Sequence, residues 1–160
     1  MTSDMAEERK TQTIAREDAV FWMDGEGRWH NAHGPFENPK ISAYFHACID
    51  GDDGGYFLKQ ERDGILEKVY FPVADTALFV FRVDVGDAVT LTLNTGRTLQ
   101  LDPSGLFIRN DRLYLAAGKD RIKFSAEAAM KLAQYLEDGD GEMVFNFGGE
   151  KTPVREDNEQ

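Results

Sequence analysis

The alternation of apolar residues at every second position between residues 65 and 101 limits the fold more than any other feature of the sequence. Successive residues of a β-strand face opposite sides of a sheet, so this spacing indicates strands with one face against a core. The apolar positions form four runs, at 65, 69 and 71, at 77 to 85, at 89 to 93, and at 99 and 101. They predict a four-stranded antiparallel β-meander over 65–102 with one wet face.

Two stretches change to helical spacing, and each begins with a capping signal. Asn38-Pro39 predicts an N-cap followed by proline at the first helical position, and Ser125 predicts a second N-cap. The apolar stripes that follow are Ile41, Tyr44, Phe45, Cys48 and Ile49, then Ala129, Leu132, Ala133 and Leu136. Each helix needs a sheet to lie against. We expect the two helices to bury Phe45, Ile49, Leu132 and Leu136.

The order hairpin, loop, capped helix, turn and strand occurs twice, over 21–58 and over 106–145. At an offset of 87 positions, Asn38 falls on Ser125 and Phe45 falls on Leu132. The sequence therefore predicts an α+β fold of two related hairpin-helix-strand halves, with antiparallel sheets packing on one helix each. Duplication and a chance recurrence of a common unit both stay open as explanations.

The folded body is predicted to be a single α+β domain over 19–148, in which the meander joins the two repeats. Residues 1–18 contain few large apolar side chains, and 149–160 contain only Val154. Such segments cannot bury enough apolar surface to offset the entropy of ordering. Both are predicted to be disordered tails.

Charge and cysteine content limit the partners and the compartment. The chain has 18 Lys and Arg against 29 Asp and Glu, a formal net charge of -11, and one cysteine. Nucleic acid and anionic membranes are not expected partners, because both attract clustered positive charge. No apolar run approaches the ~20 residues of a membrane span, and the N-terminus lacks an apolar export signal. We expect a cytoplasmic, acidic protein without a cofactor or intrachain disulfide.

Short motifs in the first half resemble a known family. They are Asp24-x-x-Gly27-x-Trp29, Gly34-Pro35, Gly55-Tyr56-x-Leu58, and Glu67 followed by Asp75-Thr-Ala-Leu-Phe-Val80. Together they resemble domain-of-unknown-function family 1285, a family of uncharacterised bacterial proteins, or a closely similar family of unknown function. The resemblance implies an α+β fold of two related halves and a role in signalling or ligand sensing without an established activity. Thr76-Ala77 stands where that family tends to have Ala-Pro.

The acid at position 67 is the most informative polar residue, because alternation places it on the apolar face of its strand. A carboxylate among apolar neighbours must be paired, hydrogen-bonded or protonated. Arg97, which alternates with the apolar face of a later strand, is its candidate partner. Glu67 is therefore either half of an internal ion pair, a strand-end acid that reaches water, or an acid that faces a ligand.

Three other groups of polar residues carry weaker signals. His30 and His33, with Asp24 and Glu26 nearby, supply possible metal ligands, but this spacing outside a helix favours a solvated loop, and no metal site is predicted. Cys48 is predicted to be a buried, unreactive thiol. The runs 50–55 and 138–142 resemble calcium loops only in part, and a helix stop with a tight turn explains both.

The predicted function is a non-enzymatic regulatory or ligand-sensing domain that binds a small molecule or a protein partner. No catalytic residue is predicted, because no nucleotide-binding loop or nucleophile elbow occurs in the sequence. The candidate ligand-binding residues are Trp29, Tyr56, Glu67, Asp75 and Arg97. The alternatives are a small enzyme with Glu67 and Asp75 as acid and base, and a structural interaction protein that forms a homodimer by covering its sheet edges.

Overall fold

The computed structural model of the protein describes residues 10–157. The chain divides into two compact units, Met1–Ala77 and Leu78–Gln160. More than half of the described residues lie in β-strands, and two short α-helices, one in each unit, interrupt them.

The described part of the first unit contains seven strands and one α-helix. In chain order they are β1 (Lys10–Ile14), β2 (Phe21–Met23), β3 (Trp29–Asn31), β4 (Gly34–Pro35), α1 (Pro39–Ala47), β5 (Ile49–Asp52), β6 (Gly55–Arg62) and β7 (Ile65–Tyr70). A short 3-10 turn, Arg16–Asp18, follows β1. The strands form an antiparallel three-stranded sheet, β2-β3-β4, and a four-stranded sheet in the order β1-β7-β6-β5, in which only the β1–β7 pair is parallel.

Aromatic side chains dominate the core of the first unit. The indole of Trp29 is in ring contact with Phe21, Phe36, Phe45 and Phe71, with centroids 4.9 to 6.4 Å apart. The two sheets are joined at β2, where the Met23 N–H donates to the Pro72 carbonyl and the Met23 carbonyl accepts from Ala74. Because edge-to-face and offset ring pairs stabilise a core beyond the area they bury, this cluster fixes α1 against both sheets.

In the second unit, residues 78–157 form ten strands and one α-helix. In chain order they are β8 (Phe79–Val85), β9 (Val89–Leu93), β10 (Thr98–Gln100), β11 (Leu106–Arg109), β12 (Arg112–Ala117), β13 (Asp120–Phe124), α2 (Ala126–Ala133), β14 (Leu136–Gly139), β15 (Glu142–Phe147), β16 (Glu150–Pro153) and β17 (Arg155–Glu156). A 3-10 turn, Pro103–Gly105, precedes β11. A seven-stranded sheet runs β10-β9-β8-β13-β12-β11-β17, and β14-β15-β16 form an antiparallel sheet.

The seven-stranded sheet provides the larger core. Its fully buried side chains include Phe79, Leu91, Leu106, Ile122 and Phe124. Leu132 of α2 is also fully buried, and α2 contacts both β8 and β13. The α2 helix therefore lies over the two strands that pair in parallel at the centre of this sheet.

The predicted α+β fold class is wrong: the protein is mostly β, with 53% of the described residues in strands and 16% in α-helices and 3-10 turns together. The helices span only nine and eight residues, because the last apolar positions assigned to each stripe, Ile49 and Leu136, are instead the first residues of strands. Of the four residues expected to be buried under helices, only Leu132 is fully buried. The exposed fraction of Ile41 is 47% and that of Tyr44 is 54%, so α1 buries little of its predicted stripe.

The predicted four-stranded meander is also divided. Its first strand, β7, pairs with β6 and β1 in the first unit, whereas β8, β9 and β10 form consecutive antiparallel pairs in the second unit. The turn Asp63–Gly64, with positive φ at both residues, closes the β6–β7 hairpin. Asp-Gly is a preferred sequence for such two-residue turns, so local turn chemistry gives β7 a partner that precedes it in the chain.

Parts of both segments assigned to tails are strands: β1 lies in 1–18, and β16 and β17 lie in 149–160. The remaining residues of those segments, 1–9 and 158–160, lie outside the described residues. In each unit three consecutive antiparallel strands precede the helix and further antiparallel strands follow it: β2, β3 and β4 form a sheet of their own in the first unit, whereas β11, β12 and β13 belong to the seven-stranded sheet in the second. A duplication stays a prediction. No helix among the described residues is long and apolar enough to span a membrane.

Candidate functional site

A groove of about 480 Å³ opens between the β3–β4 corner and helix α1 in the first unit. Its lining residues are Asn31, His33, Pro35, Phe36, Glu37, Asn38, Ile41 and Phe45. The volume falls in the range of cavities that hold small organic molecules. The groove is therefore a candidate site in the first unit.

Local backbone chemistry builds the polar rim of the groove. The Asn31 side chain accepts from the backbone N–H of His33, which forms the tight turn between β3 and β4. Asn38 caps α1 by accepting from the backbone N–H of Lys40 at 2.9 Å, and proline follows it at the first helical position. The predicted cap at Asn38 is confirmed, and it fixes the helix start beside the rim.

The apolar wall of the groove is continuous with the aromatic core. Ile41 and Phe45 are four residues apart on α1 and so lie on one face of the helix. The rings of Phe36 and Phe45 contact each other with centroids 5.2 Å apart, and both contact the indole of Trp29. Trp29 is fully buried, and its Nε1–H has no hydrogen-bond partner among the described residues. A ligand that moves the wall would change the surroundings of this indole.

His46 lies on the core side of α1, with its ring centroid 5.6 Å from that of Trp29. Burial lowers the pKa of His46 to about 4, so its imidazole is neutral near pH 7. At the rim of the groove, Glu37 is an exposed acid.

A second polar group lies on the β2–β3 hairpin. The Nε2 atom of His30 is 2.7 Å from Oδ2 of Asp24, and the indole of Trp22 stacks on the His30 ring with centroids 4.3 Å apart. Burial raises the pKa of Asp24, but hydrogen bonds from the backbone of Arg28, from His30 and from the backbone of Glu26 outweigh it, and the pKa is lowered.

The polar groups around the two histidines are engaged in local contacts. Asp24 is used to close the hairpin turn and to hold His30, while the His33 backbone is held by Asn31. Within residues 10–157, no group of three or more His, Cys, Asp or Glu side chains is placed to hold a metal ion.

The acidic run 50–55 forms the β5–β6 hairpin turn. Oδ2 of Asp52 accepts from the Tyr70 hydroxyl at 2.7 Å and from Lys68 at 3.4 Å, and Arg16 donates to the Gly54 carbonyl at 2.6 Å. The hydrogen bond from Tyr70 is the main reason that the pKa of Asp52 is lowered, and the same bond raises the pKa of Tyr70. The carboxylate oxygens of Asp52 thus bind two side chains of β7 and the backbone of the turn. This matches the tight turn expected for the run 50–55.

The sequence-predicted binding residues are distributed over both units. Trp29 lies in the core behind the groove, Tyr56 lies on β6 with its ring beside Gly51, and Glu67 is half-buried on β7 opposite Gln60. Asp75 follows β7 near the end of the first unit. Arg97 is exposed in the turn before β10, in the second unit. Their roles in ligand binding stay predictions.

Sequence reasoning missed most of the groove. Phe36, Ile41 and Phe45 read as ordinary apolar positions, because nothing local shows that a helix face and a strand corner leave a space between them. One signal was present: an aromatic residue at 36 directly precedes the Glu37-Asn38 cap.

Cys48, expected to be buried, is half-buried. Its thiol raises the pKa of the Tyr44 hydroxyl one helical turn earlier.

Two solved structures are similar to the chain, and both are of DUF1285 family proteins. The one from Silicibacter pomeroyi DSS-3 has a TM-score of 0.62 and 14% sequence identity, over 92% of this chain and 83% of its own. The one from Shewanella baltica OS155 has a TM-score of 0.51 and 16% identity, over 72% of this chain and 91% of its own. The sequence matches no family model and no curated protein. At these identities the likeness shows the fold, and in that respect it confirms the resemblance that the motifs indicated.

Proposed function

We propose that this chain, which shares the fold of DUF1285 family proteins of unknown function, is a bacterial, non-enzymatic ligand-sensing domain that binds a small molecule in the groove of its first unit. The observation that carries the proposal is the groove itself, with aromatic walls and hydrogen-bonding groups at its rim. Such a combination binds a ligand by apolar burial and orients it by a few polar contacts.

The lining chemistry favours an aromatic ligand that is neutral or positively charged. Phe36 and Phe45 offer ring faces and edges, and Asn31 and Asn38 carry amides at the rim. Glu37 places a negative charge at the rim, and the whole chain carries a formal net charge of -11. An anionic ligand would meet repulsion at this rim, whereas an aromatic ligand that carries an ammonium group would gain attraction.

The contact between Trp29 and the groove wall supplies a direct test. The chain contains two tryptophans, so a Trp22→Phe background leaves the fluorescence of Trp29 alone. Benzylamine, benzyl alcohol and benzoate differ in charge but share one ring, and they are titrated while Trp29 emission is recorded. We expect saturable changes for benzylamine and benzyl alcohol, and the weakest response for benzoate.

Two substitutions on α1 separate groove binding from non-specific effects. Ile41→Asn alters a groove residue, while Tyr44→Asn alters an exposed residue of the same helix that does not line the groove. The first substitution should weaken the response and the second should leave it unchanged. Absence of a saturable response to all three probes, or equal loss in both variants, would contradict the proposal. The carboxylate enzyme with Glu67 and Asp75 and the homodimeric interaction protein stay alternative predictions.

A further inference from the structure

A smaller cleft of about 200 Å³ lies within the second unit, between the β15–β16 hairpin and the ends of β9 and β10. Its lining residues are Asp87, Ala88, Val89, Gln100, Leu101, Pro103, Phe145, Phe147, Glu150 and Thr152. The volume corresponds to about seven water molecules of liquid, which suits a compact head group rather than a large ligand.

The register of the β15–β16 hairpin brings two aromatic rings and a carboxylate to one face. Phe147 pairs directly with Glu150, and Phe145 pairs with Thr152. Directly opposed residues of an antiparallel pair share a face, so all four side chains face the cleft that they line. Lys151, between them in sequence, faces the other way, where its Nζ lies 3.7 Å from a carboxylate oxygen of Glu137.

The aromatic side of the cleft is built from rings that contact one another. The rings of Phe145 and Phe147 stack with centroids 6.2 Å apart, and Tyr135 meets Phe147 edge-on with centroids 5.4 Å apart. The opposite side is formed by Val89 and Leu101, which are both buried and are joined by a backbone hydrogen bond of 2.9 Å. A group entering the cleft therefore meets an apolar floor and aromatic rings.

The charge of the cleft has a single sign. Asp87 and Glu150, one from each wall, are exposed carboxylates, and none of the ten lining residues is Lys, Arg or His. Aromatic rings attract cations through their negative faces, and nearby carboxylates add a Coulombic attraction. A neutral apolar ligand would use the floor but not the two carboxylates.

From this combination we infer that the second unit binds an organic ammonium group, with Phe147 providing the aromatic contact and Asp87 and Glu150 providing the counter-charge. This is a separate site from the groove of the first unit, and it does not depend on the proposed function. Primary and methylated ammonium groups share the chemistry that the cleft recognises, and they occur both on free solutes and on lysine side chains.

The test compares choline with 3,3-dimethyl-1-butanol, a neutral molecule of nearly the same shape, by amide NMR titration of the full chain. We expect choline to produce saturable shifts at residues 87–89 and 150–152, with an affinity about threefold or more above that of the neutral isostere. A pentapeptide with one trimethyllysine, titrated in parallel, distinguishes the source: tighter binding than choline indicates a peptide ligand, and weaker binding indicates a free solute.

Matched variants assign the effect to the cleft. Phe147→Leu keeps an apolar side chain without a π-face and should lower choline affinity about threefold or more, and Glu150→Gln should lower it by about two- to fivefold. Asp138→Asn removes an exposed acid from β14 of the same sheet, outside the cleft, and should change nothing. Equal binding of choline and its isostere, no shifts at the cleft, or an equal loss in Asp138→Asn would overturn the inference.

Discussion

His46 has an imidazole whose protonation is changed by its place in the core. The side chain is 8% exposed and lies against the indole of Trp29. Transfer from water disfavours its charged form, which lowers its pKa from 6.5 to about 4. Between these two values the unfolded chain binds a proton that the folded chain does not. The contribution of His46 to the free energy of unfolding is therefore fully present above about pH 6.5, and it is lost as the pH falls toward 4.

We predict that the free energy of unfolding falls by roughly 3 kcal/mol between pH 7 and pH 4 because of His46. The measurement is urea unfolding at several pH values for the natural chain and for His46→Gln, whose stability should depend less on pH by that amount. His33→Gln, a change at an exposed histidine, should retain the full pH dependence. An unchanged slope in His46→Gln would show that His46 does not cause it.

The carboxylate of Asp24 is predicted to stabilise the β2–β3 hairpin through three acceptor contacts. Oδ1 accepts from the backbone N–H groups of Glu26 and Arg28, and Oδ2 contacts His30. Asp24→Ala removes all three and should cost about 1 to 2 kcal/mol of unfolding free energy, while Asp24→Asn keeps one acceptor oxygen and should cost less. Chemical denaturation at pH 7 measures both. A larger loss in Asp24→Asn than in Asp24→Ala would contradict the role given to Oδ1.

At the scale of elements, a β-bulge explains why strict alternation fails in β8. The pairing of β8 with β9 shifts register between Val80 and Arg82, so the extra residue interrupts the period of two. Val80 becomes buried, and Phe81, predicted to face the core, is 40% exposed. A bulge leaves no clear mark in the pattern of apolar residues, so the sequence could not show this change of face.

The elements that the sequence predicted well are those that depend on local chemistry. Asn38 and Ser125 cap the two helices as expected, because a side-chain oxygen satisfies free backbone N–H groups wherever the helix packs. The apolar face of β9 is also buried as predicted. Strand partners, the division of the meander and the groove depend on contacts between residues distant in the chain, and periodicity does not specify these contacts.

The Asp140–Gly141 turn between β14 and β15 is predicted to depend on its backbone conformation. Both residues have positive φ, 54° and 86°, and no atom lies within 4 Å of a Cβ built on Gly141. Gly141→Ala therefore tests backbone strain without a steric clash and should cost about 1 kcal/mol.

Gly86, in the turn between β8 and β9, is the control for this measurement. A Cβ at Gly86 also meets open space, but its φ lies outside the left-handed region. Gly86→Ala should leave stability unchanged or raise it by up to about 1 kcal/mol, because alanine restricts the unfolded chain. Equal thermal unfolding midpoints for the two variants would count against a conformational requirement at Gly141.

At the scale of the whole molecule, the two units differ in how they form a core. The first unit gathers aromatic rings around one tryptophan, whereas the second surrounds a seven-stranded sheet with aliphatic and aromatic side chains. Both edges of the large sheet are short strands, β10 with three residues and β17 with two. Short edges limit pairing with another chain through this sheet, and a homodimer that covers sheet edges stays a prediction.

The second unit should fold without the first, because it contains a complete sheet and its own buried side chains. We predict that a polypeptide of residues 78–160 gives a dispersed amide NMR spectrum and a cooperative thermal transition. A polypeptide of residues 86–160 is the control, since it lacks β8, which pairs with both β9 and β13 in the middle of the sheet. Removal of a central strand leaves both neighbours with unpaired backbone groups, so this shorter chain should remain unfolded. A narrow amide spectrum for 78–160 would mean that the second unit acquires its fold only as part of the full chain.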